Sequence, residues 1–344
     1  MVTKKCPHCG AESLIKKGWH HGGKQNYRCT VCGKRTTKPI IDTNKKRPDY
    51  NWREWAQHLQ NRQDLTERAS GSQDSASINI QTAEPYILFQ PIGDTHFGNA
   101  GVDYKLLERF TDTLLSLDYM FTGLLGDMED NFCSFKNQLP VLSQILSPAQ
   151  QDQFLNDWLT EVKDKTLFAT WGNHAEFQER ATGRNTEKDI LKDKVIYFNG
   201  IGNLELTIND IMYTIIATHK TRNNSMYNAT HGLKQMARHN YPNADIYLAG
   251  HKHEPVLEIA HIHVGRSEPQ IFALCGTLKG NDGYAKRYFK AKTFTSFPAF
   301  VFDTRRHNVI PFWDVTEAIM YIEGAKLYET MPGGKANNEE TGAD

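Results

Sequence analysis

The chain has 344 residues, 39% hydrophobic and 11% aromatic, with 40 Lys or Arg balanced by 40 Asp or Glu. That composition can bury a core and excludes intrinsic disorder as the dominant character. No run approaches the roughly 18 apolar residues of a membrane helix, and the N-terminus is rich in Lys and Cys where a secretory signal would be apolar; a soluble, cytoplasmic protein of about two domains, with no membrane partner, is expected.

The neutral total hides a polarised chain. Residues 1–47 hold twelve basic side chains against Glu12 and Asp42, a local charge of +10, which leaves −10 on the remainder. Such density favours a polyanionic partner through counterion release, with a solvated lysine face as the plain alternative. Nucleic acid is the expected partner, and Lys16, Lys17, Lys24, Arg28, Lys34 and Arg35 are the candidate contacts.

Within residues 1–40, Cys6-x2-Cys9 and Cys29-x2-Cys32 have the spacing of a zinc site. Gly10 and Gly33 follow the second Cys of each pair and permit a tight turn that aims backbone N–H groups at the sulfurs. Two short strands, 13–17 and 25–28, are expected to form a hairpin through His20-His21-Gly22-Gly23. A non-secreted chain disfavours disulfides, and no thioredoxin-like βαβ pattern supports a redox pair. Four thiolates complete a structural tetrahedron around one Zn2+ and leave no open position for catalysis. The segment Cys6-Pro-His-Cys-Gly through Tyr27-Arg-Cys-Thr-Val-Cys-Gly-Lys-Arg-Thr-Thr37 resembles the zinc ribbons of some transposase-associated DNA-binding proteins, which implies contact with DNA.

Residues 41–84 are expected to be a helix and a flexible linker. Trp52, Trp55, Ala56 and Leu59 recur at helical spacing, a pattern suited to packing on the body or the ribbon. From Asn61 to about Ala83 the chain is rich in Ser, Gln and Asp. The body follows over 85–328, and 329–344 has the composition of a disordered tail. Strands are expected over 86–92, 119–124, 166–169, 195–198, 204–208, 212–217, 246–248, 256–262, 271–274, 299–302 and 309–312. Helices fit 103–117, 137–146, 149–163 and 231–240. Early strands alternate with helices and later ones follow one another, so an α/β body with a mixed, layered sheet is expected.

The chemistry-bearing residues sit just after these strands. Gly93-Asp94-Thr95-His96, Gly126-Asp127-Met128-Glu129-Asp130, Trp171-Gly172-Asn173-His174, His219 and Gly250-His251-Lys252-His253 close five of them. Loops at strand ends can converge, and oxygen plus imidazole ligands suit Mn2+, Fe or Zn2+.

This ordered set resembles the calcineurin-like metallophosphoesterase superfamily over about 160 residues. The resemblance implies a four-layer αββα sandwich, preceded here by the small four-cysteine zinc ribbon, and a dinuclear metal site, with manganese expected first and iron or zinc as alternatives. It places Asp94, His96 and His253 on one metal, Asn173, His219 and His251 on the other, and Asp127 between them. Two divalent ions about 3.5–4 Å apart can share a carboxylate and a water and lower that water's pKa. By the same resemblance His174 is no ligand but faces the substrate, as transition-state stabiliser or proton donor. Asn131 stands where many members carry a phosphate-gripping Arg, and Ala175 where Asp or Glu is usual, so protein phosphatase activity is not expected.

Other residues have plainer readings. His231 is expected to cap a helix or touch substrate; His261 and His263 to be packed or exposed; Cys133 and Cys275 to be reduced thiols without a role. Arg180, Arg184, Lys220 and Arg222 are expected in solvent, with phosphate contact as the alternative. Together the two signals predict a metal-dependent phosphodiesterase, a nuclease on DNA or RNA with a metal site similar to the Mre11/SbcD branch, recruited by its ribbon. The alternative is a phosphatase or phosphodiesterase for a small nucleotide or phosphomonoester, with the ribbon used for placement.

Overall fold

A computed structural model of the chain describes residues 4–20, 22–41, 51–70, 74–132, 141–222, 225, 227–262, 266–280 and 296–331. Cys133, His263, residues 137–140 of the predicted helix 137–146 and the tail from 332 lie outside these. Two compact units divide between Ser70 and Gly71.

In the first unit, β1 (Lys4–Lys5), β2 (Leu14–His20), β3 (Lys24–Cys29), β4 (Arg35–Thr36) and β5 (Ile40–Ile41) precede α1 (Trp52–Ser70). β2, β3 and β4 form an antiparallel sheet, and β1 pairs with β5. The two Cys-x-x-Cys-Gly turns are alike: Gly10 and Gly33 both have φ +72°, and their N–H groups donate to the carbonyls of Cys6 and Cys29 at 2.9 and 3.0 Å. α1 starts on a capping box, in which Asn51 Oδ1 accepts from Glu54 N–H (3.1 Å) and Glu54 Oε2 accepts from Asn51 N–H (2.9 Å). Its predicted apolar stripe is not packed away: Trp52, Trp55 and Leu59 are 67, 43 and 51% exposed.

The second unit begins earlier than the composition suggested. Residues 61–70, expected as linker, continue α1, and β6 (Ser75–Ile80) pairs parallel with a strand at 202–208. Ala76, Ile78 and Ile80 are its half-buried residues; they alternate with solvent-facing Ser75, Ser77 and Asn79, so the polar half of an edge strand gives the segment its linker-like composition.

The chain then runs through β7 (Tyr86–Ile92), α2 (Tyr104–Ser116), β8 (Met120–Leu124), α3 (Pro148–Val162), β9 (Thr166–Thr170), α4 (Ala175–Thr182), α5 (Thr186–Lys194) and β10 (Tyr197–Phe198). β11 (Gly202–Ile208), β12 (Ile211–Thr218), α6 (His231–His239), β13 (Ile246–Ala249), β14 (Val256–Ala260), β15 (Gln270–Leu274), β16 (Ala299–Asp303), β17 (Val309–Phe312) and α7 (Val315–Thr330) complete it. Of the predicted helix 137–146, Val141 is helical and residues 142–146 hold turns and an isolated bridge from Gln144 to Asn99. α4, α5 and α7 were not anticipated. α7 runs two residues into the expected tail and is capped by Asp314, whose Oδ1 accepts from Thr316 and Glu317 N–H at 2.8 and 3.1 Å.

Two six-stranded sheets result, in the orders β10-β9-β8-β7-β16-β17 and β14-β15-β13-β12-β11-β6. Strands β7 to β10 are parallel, as are β12, β13 and β15. Alternation along the second sheet shows what covers each face. Ile215, Ile246, Leu248, Ile271 and Ala273 join the large core shared with the first sheet, whereas Ile216, Tyr247, Phe272 and Leu274 pack with Leu233, Met236 and Ala237 of α6. Both faces are covered, which is why these strands are nearly continuous apolar runs in sequence. α2 packs on β8 and α7 on β7, β16 and β17, so the body has helix, sheet, sheet and helix layers. Tyr213 ties the sheets, donating from β12 to the Asp303 carbonyl at the end of β16 (2.7 Å).

Candidate metal centre

Parallel strands deliver their carboxyl ends to one edge, and the predicted ligands are the first residues past those ends. Asp94 and His96 follow β7, Asp127 follows β8, Asn173 and His174 follow β9, His219 follows β12, and His251 and His253 follow β13. Asp94, His96, Asp127, His251 and His253 all have φ between +50° and +72°. Left-handed backbone costs a non-glycine residue free energy, and its concentration here marks loops bent to aim side chains.

The glycines beside these residues allow the loops to meet. A Cβ on Gly172 would fall on the Asp127 backbone nitrogen, and one on Gly250 would sit 2.6 Å from Asp94 Oδ2 and 2.9 Å from the Leu125 carbonyl oxygen. The Gly-Asp, Gly-Asn-His and Gly-His motifs are therefore packing requirements as well as ligand carriers.

The donor atoms fall into two groups. Asp94, His96 and His253 offer ligand atoms within 4.8 Å of one another, and so do Asp127, His219 and His251. In the first, the Nε2 atoms of His96 and His253 lie 3.0 Å apart, and His253 Nε2 is 3.1 Å from Asp94 Oδ1. In the second, His219 Nε2 is 3.0 Å from Asn173 Oδ1 and 3.1 Å from Asp127 Oδ2. All seven predicted ligands are thus brought together.

Backbone groups fix which atoms face the centre. His219 Nδ1–H donates to the Leu125 carbonyl (2.8 Å), which turns Nε2 inward toward the centre. His251 N–H donates to Asp94 Oδ2 (2.7 Å) and His174 N–H to Asp127 Oδ1 (2.8 Å), so each carboxylate has one oxygen tied and one turned to the imidazoles. Burial opposes ionisation of Asp127, but the facing His219 and His174 outweigh it and hold the carboxyl well below the usual range. Burial likewise disfavours a charged His219, yet Asp127 brings it up to about 9. Desolvation, then His219, takes His251 down to about 4. Closely spaced imidazoles and carboxylates, with little solvent to separate them, are a donor set that divalent transition metals fit.

His174 borders the ligands: with His96 and Asp130 it offers donor atoms within 4.8 Å of one another. Its Nδ1–H donates to the Asp130 carbonyl (2.6 Å), and Nε2 lies 3.8 Å from Asp127 Oδ2. The ring packs against His96, Phe132 and Phe177.

Asp130, part of the Gly-Asp motif but given no role from sequence, is a hub. Its buried carboxylate accepts from Asn99 Nδ2 (2.8 Å) and Lys279 Nζ (3.1 Å) and lies 3.4 Å from His96 Nδ1. Lys279, after β15, has no pattern around it that would have singled it out. Asn131 turns into the protein, donating to Glu129 Oε2 (2.9 Å). Burial and Glu187 push Glu129 well up, and burial and the Asp127 charge raise Glu187 to about 8, so this carboxyl pair behind the centre holds protons.

The residues given plainer readings stay outside the donor groups. His231 opens α6, His261 is exposed, and Arg184, Lys220 and Arg222 are exposed. Arg180 pairs with Glu176. Cys275 is a buried free thiol donating to the Pro91 carbonyl, its pKa driven well up by burial.

In the ribbon, Cys6, Cys9, Cys29 and Cys32 form one cluster, with Cys6 and Cys32 Sγ 3.7 Å apart and Cys9 and Cys29 Sγ 3.6 Å apart. Those separations are too long for disulfides and match the edge of about 3.8 Å that Zn–S bonds of about 2.3 Å give a tetrahedron. Backbone N–H groups of Cys32 and Val31 take the Cys29 thiol down to about 7, while at Cys9 a backbone N–H is outweighed by the neighbouring thiols, which push it up to about 12; the clustering of all four sulfurs is what makes the site fit for zinc. The six candidate nucleic-acid contacts do not share one face. Arg28 lies opposite Arg35 across β3 and β4, whereas Lys16 is opposite Tyr27, one residue along and so on the other side of the sheet.

No family model matches the sequence, and no curated protein does. Solved structures similar to the chain include a predicted phosphoesterase from Streptococcus pneumoniae, 15% identical over 67% of this chain and 91% of its own, with a TM-score of 0.34. The zinc complex of Vps29 from Entamoeba histolytica is 12% identical over 66% and 97%, with a TM-score of 0.33. The nuclease MPE of Pseudomonas putida is 16% identical over 65% and 87%, with a TM-score of 0.29.

Proposed function

We propose that the chain is a phosphoric ester hydrolase using two divalent metal ions, manganese first among them, and that its substrate is a phosphodiester of DNA or RNA recruited by the ribbon. The carrying observation is the convergence of donor atoms from five strand ends, above all the His96 and His253 Nε2 atoms 3.0 Å apart beside Asp94. Asp94, His96 and His253 would hold one ion and Asn173, His219 and His251 the other, with Asp127 between. When bound, such a pair supplies charge to neutralise a phosphoryl group and a water of lowered pKa.

The rest falls to the chain's own groups. His174, with Nδ1–H fixed on the Asp130 carbonyl, keeps Nε2 free to stabilise the transition state or give a proton to the leaving oxygen. Its half-closed setting between Phe132 and Phe177 limits the water that could compete for that proton. In the ribbon, two guanidinium groups on directly opposed residues repel one another, at a cost of up to about 1 kcal/mol. Neither Arg28 nor Arg35 has a carboxylate partner among the described residues, and a phosphate backbone would relieve the repulsion.

With Mn2+ present, the full-length protein and a chain beginning at Gly71 are compared on labelled single- and double-stranded DNA, bis-p-nitrophenyl phosphate and p-nitrophenyl phosphate. The expectation is cleavage of the diesters by both and faster DNA cleavage by the full chain. Cleavage of the monoester alone defeats the diesterase reading. DNA cleavage unaffected by loss of the ribbon defeats recruitment.

A further inference from the structure

Of the four parallel strands β7 to β10, three supply the metal centre. The fourth opens onto something else. Past β10, Asn199 lines a cleft of about 660 Å3 whose other walls are Trp171, just after β9, and residues of α4 and α5. Neighbouring strands lie about 4.8 Å apart, so this cleft begins one strand's width from Asn173 and His174, on the same carboxyl edge of the sheet. Trp171 joins the two places: its ring stands at 84° to that of His219, with centroids 6.0 Å apart, and also lines the cleft. α4, which carries Glu176, Glu179 and Arg180 into the wall, starts at His174.

The lining decides what fits. Arg180 and Lys188 are matched by Glu176 and Glu179, and Arg180 is already paired with Glu176. A second phosphate would meet as much negative as positive charge. A neutral group with its own donors and acceptors would not, and the volume is that of sites for molecules well above the size of one phosphate. Trp171, half-buried against the core, lines the cleft with an aromatic ring, the kind of group any nucleobase can stack on. Asn199, exposed at the rim, offers both a donor and an acceptor to a base edge or sugar hydroxyl.

We propose that this cleft binds the nucleoside adjoining the scissile phosphate, its base on Trp171 and its polar edge on Asn199 and Lys188. The inference rests on the phosphodiesterase reading and adds a subsite for the nucleoside, so that nucleoside esters are favoured over simple alkyl ones.

The test uses the full chain with Mn2+ and two esters sharing a leaving group, thymidine 5′-(p-nitrophenyl phosphate) and methyl p-nitrophenyl phosphate. The wild-type protein should favour the nucleoside ester in kcat/KM, and Asn199→Ala and Lys188→Ala should each lower that ratio by about tenfold. Lys192→Ala, on the exposed side of α5, should keep the ratio. Thymidine alone is also titrated calorimetrically, with no phosphate present; the wild-type protein should bind it and the two cleft variants should not. A ratio untouched by both cleft substitutions, or thymidine binding that ignores them, overturns the cleft assignment. Hydrolysis of neither ester alongside Asn199-dependent thymidine binding would uphold the cleft and remove the phosphodiesterase reading.

Discussion

Gly172 sets how closely two strand ends can approach. The hydrogen that stands in place of its Cβ lies against the Asp127 backbone, and Asp127 in turn is held by the His174 N–H and faces His219. Gly172→Ala is therefore expected to push the β8 and β9 loops apart and to abolish binding of one or both ions, measured by plasma emission on the purified protein. Stoichiometry equal to wild type would show that the loops tolerate the shift. His174 and Asp127 separate by role. If His174 acts on substrate and not as a ligand, His174→Ala should keep metal content while turnover on bis-p-nitrophenyl phosphate falls by roughly 10²–10⁴. Asp127→Asn replaces a buried anion facing two imidazoles with a neutral amide, and metal and turnover should be lost together. Equal metal loss in both variants would refute the division. Asn131 shows a residue-scale limit of reading by family likeness: its position suggests a missing phosphate grip, whereas its side chain serves the buried Glu129.

Among the elements, β6 shows how burial on one side disguises a strand. Removing the chain up to Ala83 would strip β6 from β11, expose the hydrogen-bonding edge of β11 beside its buried Leu204, Leu206 and Ile208, and remove the half-buried Ala76, Ile78 and Ile80, whereas a chain starting at Gly71 keeps the pairing. The longer of these two proteins should unfold at a temperature higher by several degrees in calorimetry; equal midpoints would mean that β6 contributes no stability. The strands of the central sheets were legible because both of their faces are covered, so that runs such as 86–92 and 246–249 are almost wholly apolar. The ligand set was legible for a related reason, since every motif starts where such a run stops. What escaped notice lacked either signal. α4 and α5 are short and mostly polar, with only Ala175 and Gln178 buried in the first and Glu187 and Leu191 in the second. α7 did carry a start signal, Asp314 followed by Glu317, but faces the body with few fully buried residues, Ala318 and Ile322. Asp130 and Lys279 meet only through the fold, 149 positions apart, and no local pattern can reveal such a pair.

For the molecule as a whole, charge and proton uptake are the properties that extend beyond a single element. The basic first unit should make nucleic-acid binding salt-dependent: if the facing Arg28 and Arg35 contact phosphate, the slope of log K against log salt on duplex DNA is about −2 from these two alone. Stability should respond to pH through Glu187. Burial and the Asp127 charge place this carboxyl at about 8 in the folded chain against 4.5 in an unfolded one. Between those values the folded state retains a proton that the unfolded state has released, so stability is full below about pH 4.5 and is lost as pH rises through about 8, by at most about 1.4 kcal/mol per unit. His219, raised to about 9, adds a loss of the same sign at higher pH, so the decisive quantity is the difference between proteins. Glu187→Gln keeps an oxygen to accept the Glu129 N–H at 3.1 Å but cannot ionise. In chelator-treated protein, urea midpoints of wild type should fall more steeply than those of the variant from about pH 5 to about pH 8. Parallel curves would mean that Glu187 is ionised in the folded chain and that its carboxylate is stabilised by a partner other than the proton.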